Sequence, residues 1–445
     1  MNSIFVPAFS LLVGLYGADI DVREHRLDNG LKVLFVENHS APVVAVQVWY
    51  RVGSKNETAG MRGISHLLEH MMFKGSAHVG PEEHMRQIGR VGGRTNAFTS
   101  EDVTVYHEVV PSSAAELAFR LEADRMASLT LSSDALRTEH EVVKEELRAR
   151  DENSPWARFY NGLLKVLYKV HPYQYSVIGT LEDLDSAKAA TLRDYYRKYY
   201  APDNAVMIVV GDMTWANVEA LARKYFAPIG FKRGEIAPIQ QEPQSQKEQK
   251  VTFKLPMQLA QSGVAYRIPA ANHPDIPAIE VIIDVLVRGR SSRLHKRLVR
   301  QDQTAVGVYD VTETYQDPGF FFVSATHSEV AQTKRIQKTM LQEIEQIARG
   351  GVTAEELTRA KNHLLANFTF GLYSFSGQAF GLGNAEVYYG DYRSYFERSR
   401  RYDRLTSEEI KAAAAKYLSR NNRVRFQIAP VKPAEGQNKR SHESR

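Results

Sequence analysis

The stretch Gly63-Ile64-Ser65-His66-Leu67-Leu68-Glu69-His70-Met71-Met72-Phe73-Lys74-Gly75-Ser76 holds two histidines four residues apart, with a glutamate directly before the second. Leu67, Leu68, Met71, Met72 and Phe73 give it an apolar face, and Gly75 closes it, which predicts a helix around Met61 to Lys74. Residues four apart on a helix lie one turn apart on one face, so both imidazoles can reach a single ion. Glu69 falls at the edge of that face, where it can touch a water on the ion without ligating the ion itself. Two surface histidines are the plainer reading. The apolar neighbours argue instead for burial, where imidazoles and a carboxylate without partners are costly.

The chain has no cysteine, so disulfides and thiolate metal sites are excluded and any metal must be held by histidine and carboxylate. A catalytic zinc takes three protein ligands and leaves one position for water. The third ligand is sought in Glu139-His140-Glu141-Val142-Val143-Lys144-Glu145-Glu146-Leu147. On a helix Glu139, Val142, Val143 and Glu146 share one face, which is expected to be buried. Glu145, about 100° further round, suits a solvated position. Glu146 is thus the expected third ligand, and Glu139 is expected to hydrogen-bond a histidine ligand or the water. Ordinary helix-surface charge is the alternative for both glutamates.

Around this centre the chain reads as two halves. Leu31–Val36, Val43–Tyr50, Thr95–Thr99, Val103–Val110 and Asn204–Val210 are predicted strands. Pro81–Val91, Ser112–Leu129, Ser132–Asp151, Trp156–Val170 and Ala187–Tyr200 are predicted helices. Residues 232–250, rich in Gln, Glu and Pro, form a linker. Beyond it come a strand at Val251–Phe253, a helix near Ile276–Val287, strands near Thr304–Val311 and Phe320–Ala325, helices to about Tyr417, and a last strand at Val424–Ile428. A helix, a short turn with Asn and a closing strand end both halves, at Asn204 and at Asn422, which points to a duplication. Strands grouped with long helices, without regular alternation, predict an α+β fold of two related αβ sandwiches of about 200 residues each. The expected division is a leader at 1–18, a metal-binding half at 19–231, the linker, a second half at 251–430 and a disordered tail at 431–445.

Composition narrows the function. The 445 residues carry a net charge of only +5, with basic and acidic side chains interspersed, so nucleic-acid binding is not expected. No apolar run is long enough for a membrane span. Met1 to Ala18 is apolar and uncharged, like the core of a secretory signal, though no Lys or Arg precedes it. Export to the periplasm is the expectation, with a cytoplasmic location as the alternative.

Residues 63–76, with their H-x-x-E-H pattern, resemble the metal helix of the pitrilysin and mitochondrial-processing-peptidase family, the inverzincins. The spacing from His70 to Glu146 fits that family's third ligand, and Glu139 matches its additional glutamate. Gly92-Gly93-Arg94-Thr95-Asn96-Ala97-Phe98-Thr99-Ser100 resembles the strand that pairs with extended substrate, and Arg290-Ser291-Ser292-Arg293-Leu294 a helix start of the second half. The likeness runs from about Asp21 to Pro430. It implies one half of a clam-like peptidase chamber and one zinc per chain, with His66, His70 and Glu146 as ligands. It further implies Glu69 as the base that takes a proton from a zinc-activated water, and peptide substrates added as a strand on Asn96, Ala97, Phe98 and Thr99. One departure stands out. Full members carry an Arg and a Tyr seven residues apart in the second half, and the matching positions here are Val299 and Val306. Arg300 and Tyr309 are nearby at a different spacing. Valine cannot donate to an oxyanion, so a heterodimer with a related subunit that brings the Arg/Tyr pair is expected. A non-catalytic assembly subunit and a self-sufficient homodimeric peptidase are the competing readings.

Overall fold

The computed structural model describes residues 20–431 except 153, so the leader at 1–18 and nearly all of the 431–445 tail lie outside the described residues. It contains two sheets. The first runs β1 (Val22–Arg26), β2 (Lys32–Glu37), β3 (Val43–Tyr50), β4 (Arg94–Thr99), β5 (Thr104–Pro111) and β6 (Ala205–Gly211), in spatial order β1-β2-β6-β3-β5-β4. The second is built from β7 (Gln249–Leu255), β8 (Ala260–Arg267), β9 (Gly307–Glu313), β10 (Phe320–His327) and β11 (Arg423–Pro430), ordered β7-β11-β8-β10-β9. Without β1 the two orders coincide strand for strand. In each the closing strand pairs parallel with the opening one, β6 with β2 and β11 with β7, and antiparallel with β3 or β8.

The repeated turn extends to single hydrogen bonds. Asn204 Nδ2 donates to the Tyr199 carbonyl at 2.8 Å and to that of Arg51 at 3.3 Å. Asn422 Nδ2 does the same to Tyr417 at 2.7 Å and Arg267 at 2.8 Å. Each amide ties the end of a helix to the end of a central strand, satisfying carbonyls that the helix leaves unpaired.

Several elements differ from the expectation. The helix placed at Met61–Lys74 is α-helical only over Ile64–Met71, because Gly63 sits at φ +88°, a left-handed conformation outside the helix. The helix placed at Ser132–Asp151 covers Ser133–Leu147 and passes into a wider π turn at Arg148–Glu152. Thr304 to Val306 precede β9 rather than belong to it. Strands β1 and β8 and the helix Trp215–Tyr225 were not expected. β8 (AQSGVAYR) is almost wholly buried yet short of β-branched residues, since Gly263 leaves room for the Phe426 ring from β11.

The linker does not separate two independent cores. The helix Pro155–Leu167 of the first half covers the second sheet, where Phe159 packs on Phe426 at 4.9 Å, Phe253 at 5.3 Å and Phe322 at 5.8 Å between ring centroids. Reciprocally, the helix Phe375–Asn384 of the second half covers the first sheet, with Phe380 5.9 Å from Trp49. Ion pairs follow the same exchange: buried Glu386 meets Lys32 at 2.8 Å and Arg51 at 3.0 Å, and Lys55, paired with Asp102 of its own half at 2.7 Å, reaches Asp317 at 3.2 Å. No helix among the described residues is long and apolar enough to cross a membrane. Phe159→Ala, a first-half substitution, is expected to destabilise the protein by about 3–5 kcal/mol through the second sheet. Urea unfolding followed by hydrogen exchange of β8 and β11 would show it, and a loss confined to the first sheet would contradict the exchange.

Candidate active site

The helix Ile64–Met71 is amphipathic in an unusual sense. Ile64, Leu67, Leu68 and Met71 are buried in the first core, while His66 and His70 project from another side toward the helix Ser133–Leu147. That second helix begins at a Ser132 cap, whose hydroxyl accepts from the Ala135 amide at 3.2 Å. It buries Leu136, Glu139, Val143 and Leu147. Val142 is 46 % exposed and Glu146 only partly covered, so of the expected four-residue buried face only Glu139 and Val143 are buried. Glu146 is half-buried and Glu145 exposed.

His66, His70 and Glu146 offer ligand atoms that all lie within 4.8 Å of one another. His66 Nε2 stands 3.8 Å from Glu146 Oε2, and His70 Nε2 stands 3.7 Å from the same oxygen. Ligands about 2.0–2.1 Å from a tetrahedral zinc sit about 3.4 Å apart, so the two His–Glu146 separations are within a few tenths of an ångström of those around a bound ion. Burial pushes the His66 imidazole down to about 3, which keeps its ring neutral and able to donate a lone pair. His70 Nδ1 is 3.2 Å from Glu139 Oε2, and donation from that nitrogen leaves Nε2 free for the metal. Glu139, 3 % exposed, is itself balanced by Lys74 Nζ at 2.8 Å. Lys74 had not been singled out, although it lies four residues past His70 on the same strip of chain.

Glu69 is not part of the ligand cluster. Its Oε2 accepts from the Thr99 hydroxyl at 2.5 Å, and burial raises its carboxyl above the ordinary range, with the Thr99 contacts opposing. Thr99 ends β4, the outermost strand of its sheet, which pairs on one side only, with β5. Along β4, Thr95, Ala97 and Thr99 face inward, and Asn96 and Phe98 are exposed. The structure therefore joins His66, His70, Glu146, Glu139 and Glu69 at one place and lays Asn96, Ala97, Phe98 and Thr99 along a free edge beside it.

Val299 and Val306 bring no polar group. Val306 is 67 % exposed, Arg300 is exposed, and the Tyr309 hydroxyl is engaged with Thr326 Oγ1 at 2.9 Å. His84, Glu108 and Glu122 form another buried cluster, but its cation is Arg125, whose Nη2 lies 3.2 Å from Glu108 and pairs with Glu122. Metal analysis should find about one equivalent of zinc in the native protein and in Glu69→Gln. His70→Ala and Glu146→Gln should lose most of it. Equal metal in all four would place the ion elsewhere.

Residues 32–181 match the family described as insulinase (peptidase family M16), and residues 186–364 match the peptidase M16 inactive domain. The zinc protease PqqE of Helicobacter pylori is 31% identical over 397 residues, 88% of this chain and 89% of that protein. The uncharacterized zinc protease YmxG of Bacillus subtilis is 27% identical over 413 residues, 93% and 98% of the two chains. The crystal structure of a protease from Helicobacter pylori superposes with a TM-score of 0.87 at 28% identity, covering 92% of this chain and 99% of that one. The M16 inactive domain from Pseudomonas fluorescens, at 23% identity and a TM-score of 0.83 over 92% of this chain and 98% of that one, shares the fold. By its matched halves and its zinc-protease relatives, the chain belongs to peptidase family M16.

Proposed function

We propose that this chain is the metal-carrying subunit of a zinc endopeptidase acting on peptides or unfolded segments, with one zinc per chain and a related partner subunit. The observation that carries the reading is the Thr99–Glu69 hydrogen bond. It ties the carboxylate beside the ligand set to the strand edge where an extended chain would add.

A zinc ion held by His66, His70 and Glu146 would supply Lewis acidity to a water and to the scissile carbonyl. Glu69, outside the ligand set and biased toward its protonated form by burial, suits the acceptance of a proton and its return to the leaving amine. Glu139, through His70 Nδ1, keeps that imidazole in the tautomer that presents Nε2. β4 offers unpaired backbone groups along its outer edge, so a substrate would be gripped mainly by main-chain hydrogen bonds. That favours flexible segments over folded ones.

At the second-half positions that match the Arg/Tyr pair stand Val299 and the exposed Val306, and neither side chain can donate a hydrogen bond. A related subunit contributing an Arg and a Tyr would complete the stabilisation of the tetrahedral intermediate. Hydrolysis of an unstructured fluorogenic peptide should therefore be weak for the chain alone and strong with a related chain that keeps the Arg/Tyr pair. Glu69→Gln should cut the rate of the pair by about 10²–10⁴ with zinc retained. Full activity of the lone chain would overturn the partner requirement, and activity untouched by Glu69→Gln would leave a non-catalytic subunit.

A further inference from the structure

Gly63, the residue at the N-cap of the metal helix, has no side chain with which to cap it. The role is taken from six residues upstream. Glu57, 6 % exposed, accepts from the Gly63 amide through Oε2 at 2.7 Å and from the Ser65 amide through Oε1 at 2.8 Å. A capping box ordinarily needs two side chains for these two tasks, one receiving an early helical amide and one receiving the amide of the cap residue. Here one carboxylate does both. Glu57 forms no ion pair with a cationic side chain among the described residues. The nearby Arg62 guanidinium lies instead over the Tyr175 ring, 3.1 Å from its centroid.

The surroundings hold the same turn from other sides. The Ser65 hydroxyl is 2.7 Å from the Tyr195 hydroxyl. Gly63 and Gly179 pass so closely that a side chain on either would collide with the other's backbone segment. Burying a carboxylate with no countercharge is costly, and burial pushes the Glu57 carboxyl up to about 8 against the pull of the two amides. An apolar loop with an ordinary Ser or Asp cap would be the cheaper way to start a helix. His66 lies one residue past the Ser65 amide and His70 one turn beyond, so the first turn sets where both imidazoles point.

We propose that Glu57 is a positioning residue for the metal centre, fixing the first turn of the metal helix and thereby setting the zinc affinity of His66, His70 and Glu146. The inference rests on the reading of those three residues as ligands. The test is the zinc dissociation constant of the full chain, measured by equilibrium competition with a chromogenic chelator. Glu57→Gln turns an amide donor toward one of the two backbone amides, so only one of them keeps its acceptor. It should bind zinc about tenfold or more weakly. Thr406→Ala is the control, since Thr406 and Glu409 form a capping box far along the chain, with Thr406 Oγ1 accepting from the Glu409 amide at 3.2 Å. It should lower thermal stability and leave zinc affinity unchanged. If native protein binds zinc and Glu57→Gln binds it equally well, or if Thr406→Ala loses affinity to the same extent, the proposal is overturned. If native protein binds no zinc, the ligand reading itself has failed. Should Glu57→Gln not fold, Glu57→Asp decides: its shorter reach should weaken binding, and native affinity would overturn the proposal.

Discussion

The first half depends on the packing of one short helix, Ile64–Met71, against one long one, Ser133–Leu147. Two imidazoles leave the first and one carboxylate leaves the second, and none can move far because the opposite side of each helix is sunk in the same core. Leu67, Leu68 and Met71 are fully buried there, as is Val143. A metal site needs its ligands held in place before the ion arrives, since any freedom they retain is lost on binding. The apolar side of each helix meets that need, while the polar side carries the donors.

Electrostatics extends the same logic outward. Two neutral imidazoles and one carboxylate would leave a bound divalent ion with a net charge of +1, which Glu69 close by would balance when ionised. Glu139 is offset by Lys74, which it shares with Glu82. Below the helix, Glu57 holds the two leading amides; beyond it, Thr99 holds Glu69. The exchange of helices between halves then fixes the frame. With Phe159 in the second core and Phe380 on the first sheet, the edge strand β4 and the second half are set by shared packing rather than by the Gln-rich linker.

The parts of this arrangement that were legible in the sequence are those with a short-range signature. His66, Glu69 and His70 follow from helical periodicity, and Glu146 from a carboxylate on the face of a neighbouring helix. The Asn204 and Asn422 turns were visible as a repeated pattern. Val142 was placed on the buried face because sequence shows the direction of an apolar stripe better than its width. β8 escaped because a strand buried on both faces, with Gly263 making room for a ring from β11, shows neither alternation nor β-branched enrichment. The exchange of helices escaped because a phenylalanine at 159 and one at 426 give no local sign that they touch. Glu57 escaped for a different reason: its partners are backbone amides, which every residue has, so no pairing of residue types announces it.

The central claim is that His66, His70 and Glu146 close around one ion and leave a position for solvent. X-ray absorption at the zinc edge of the metal-loaded chain tests it most directly. The account predicts a four-coordinate centre with two imidazole nitrogens and oxygen donors at about 2.0–2.2 Å, reduced to one imidazole in His66→Ala. A centre without imidazole scattering, or a spectrum unchanged by that substitution, would contradict it.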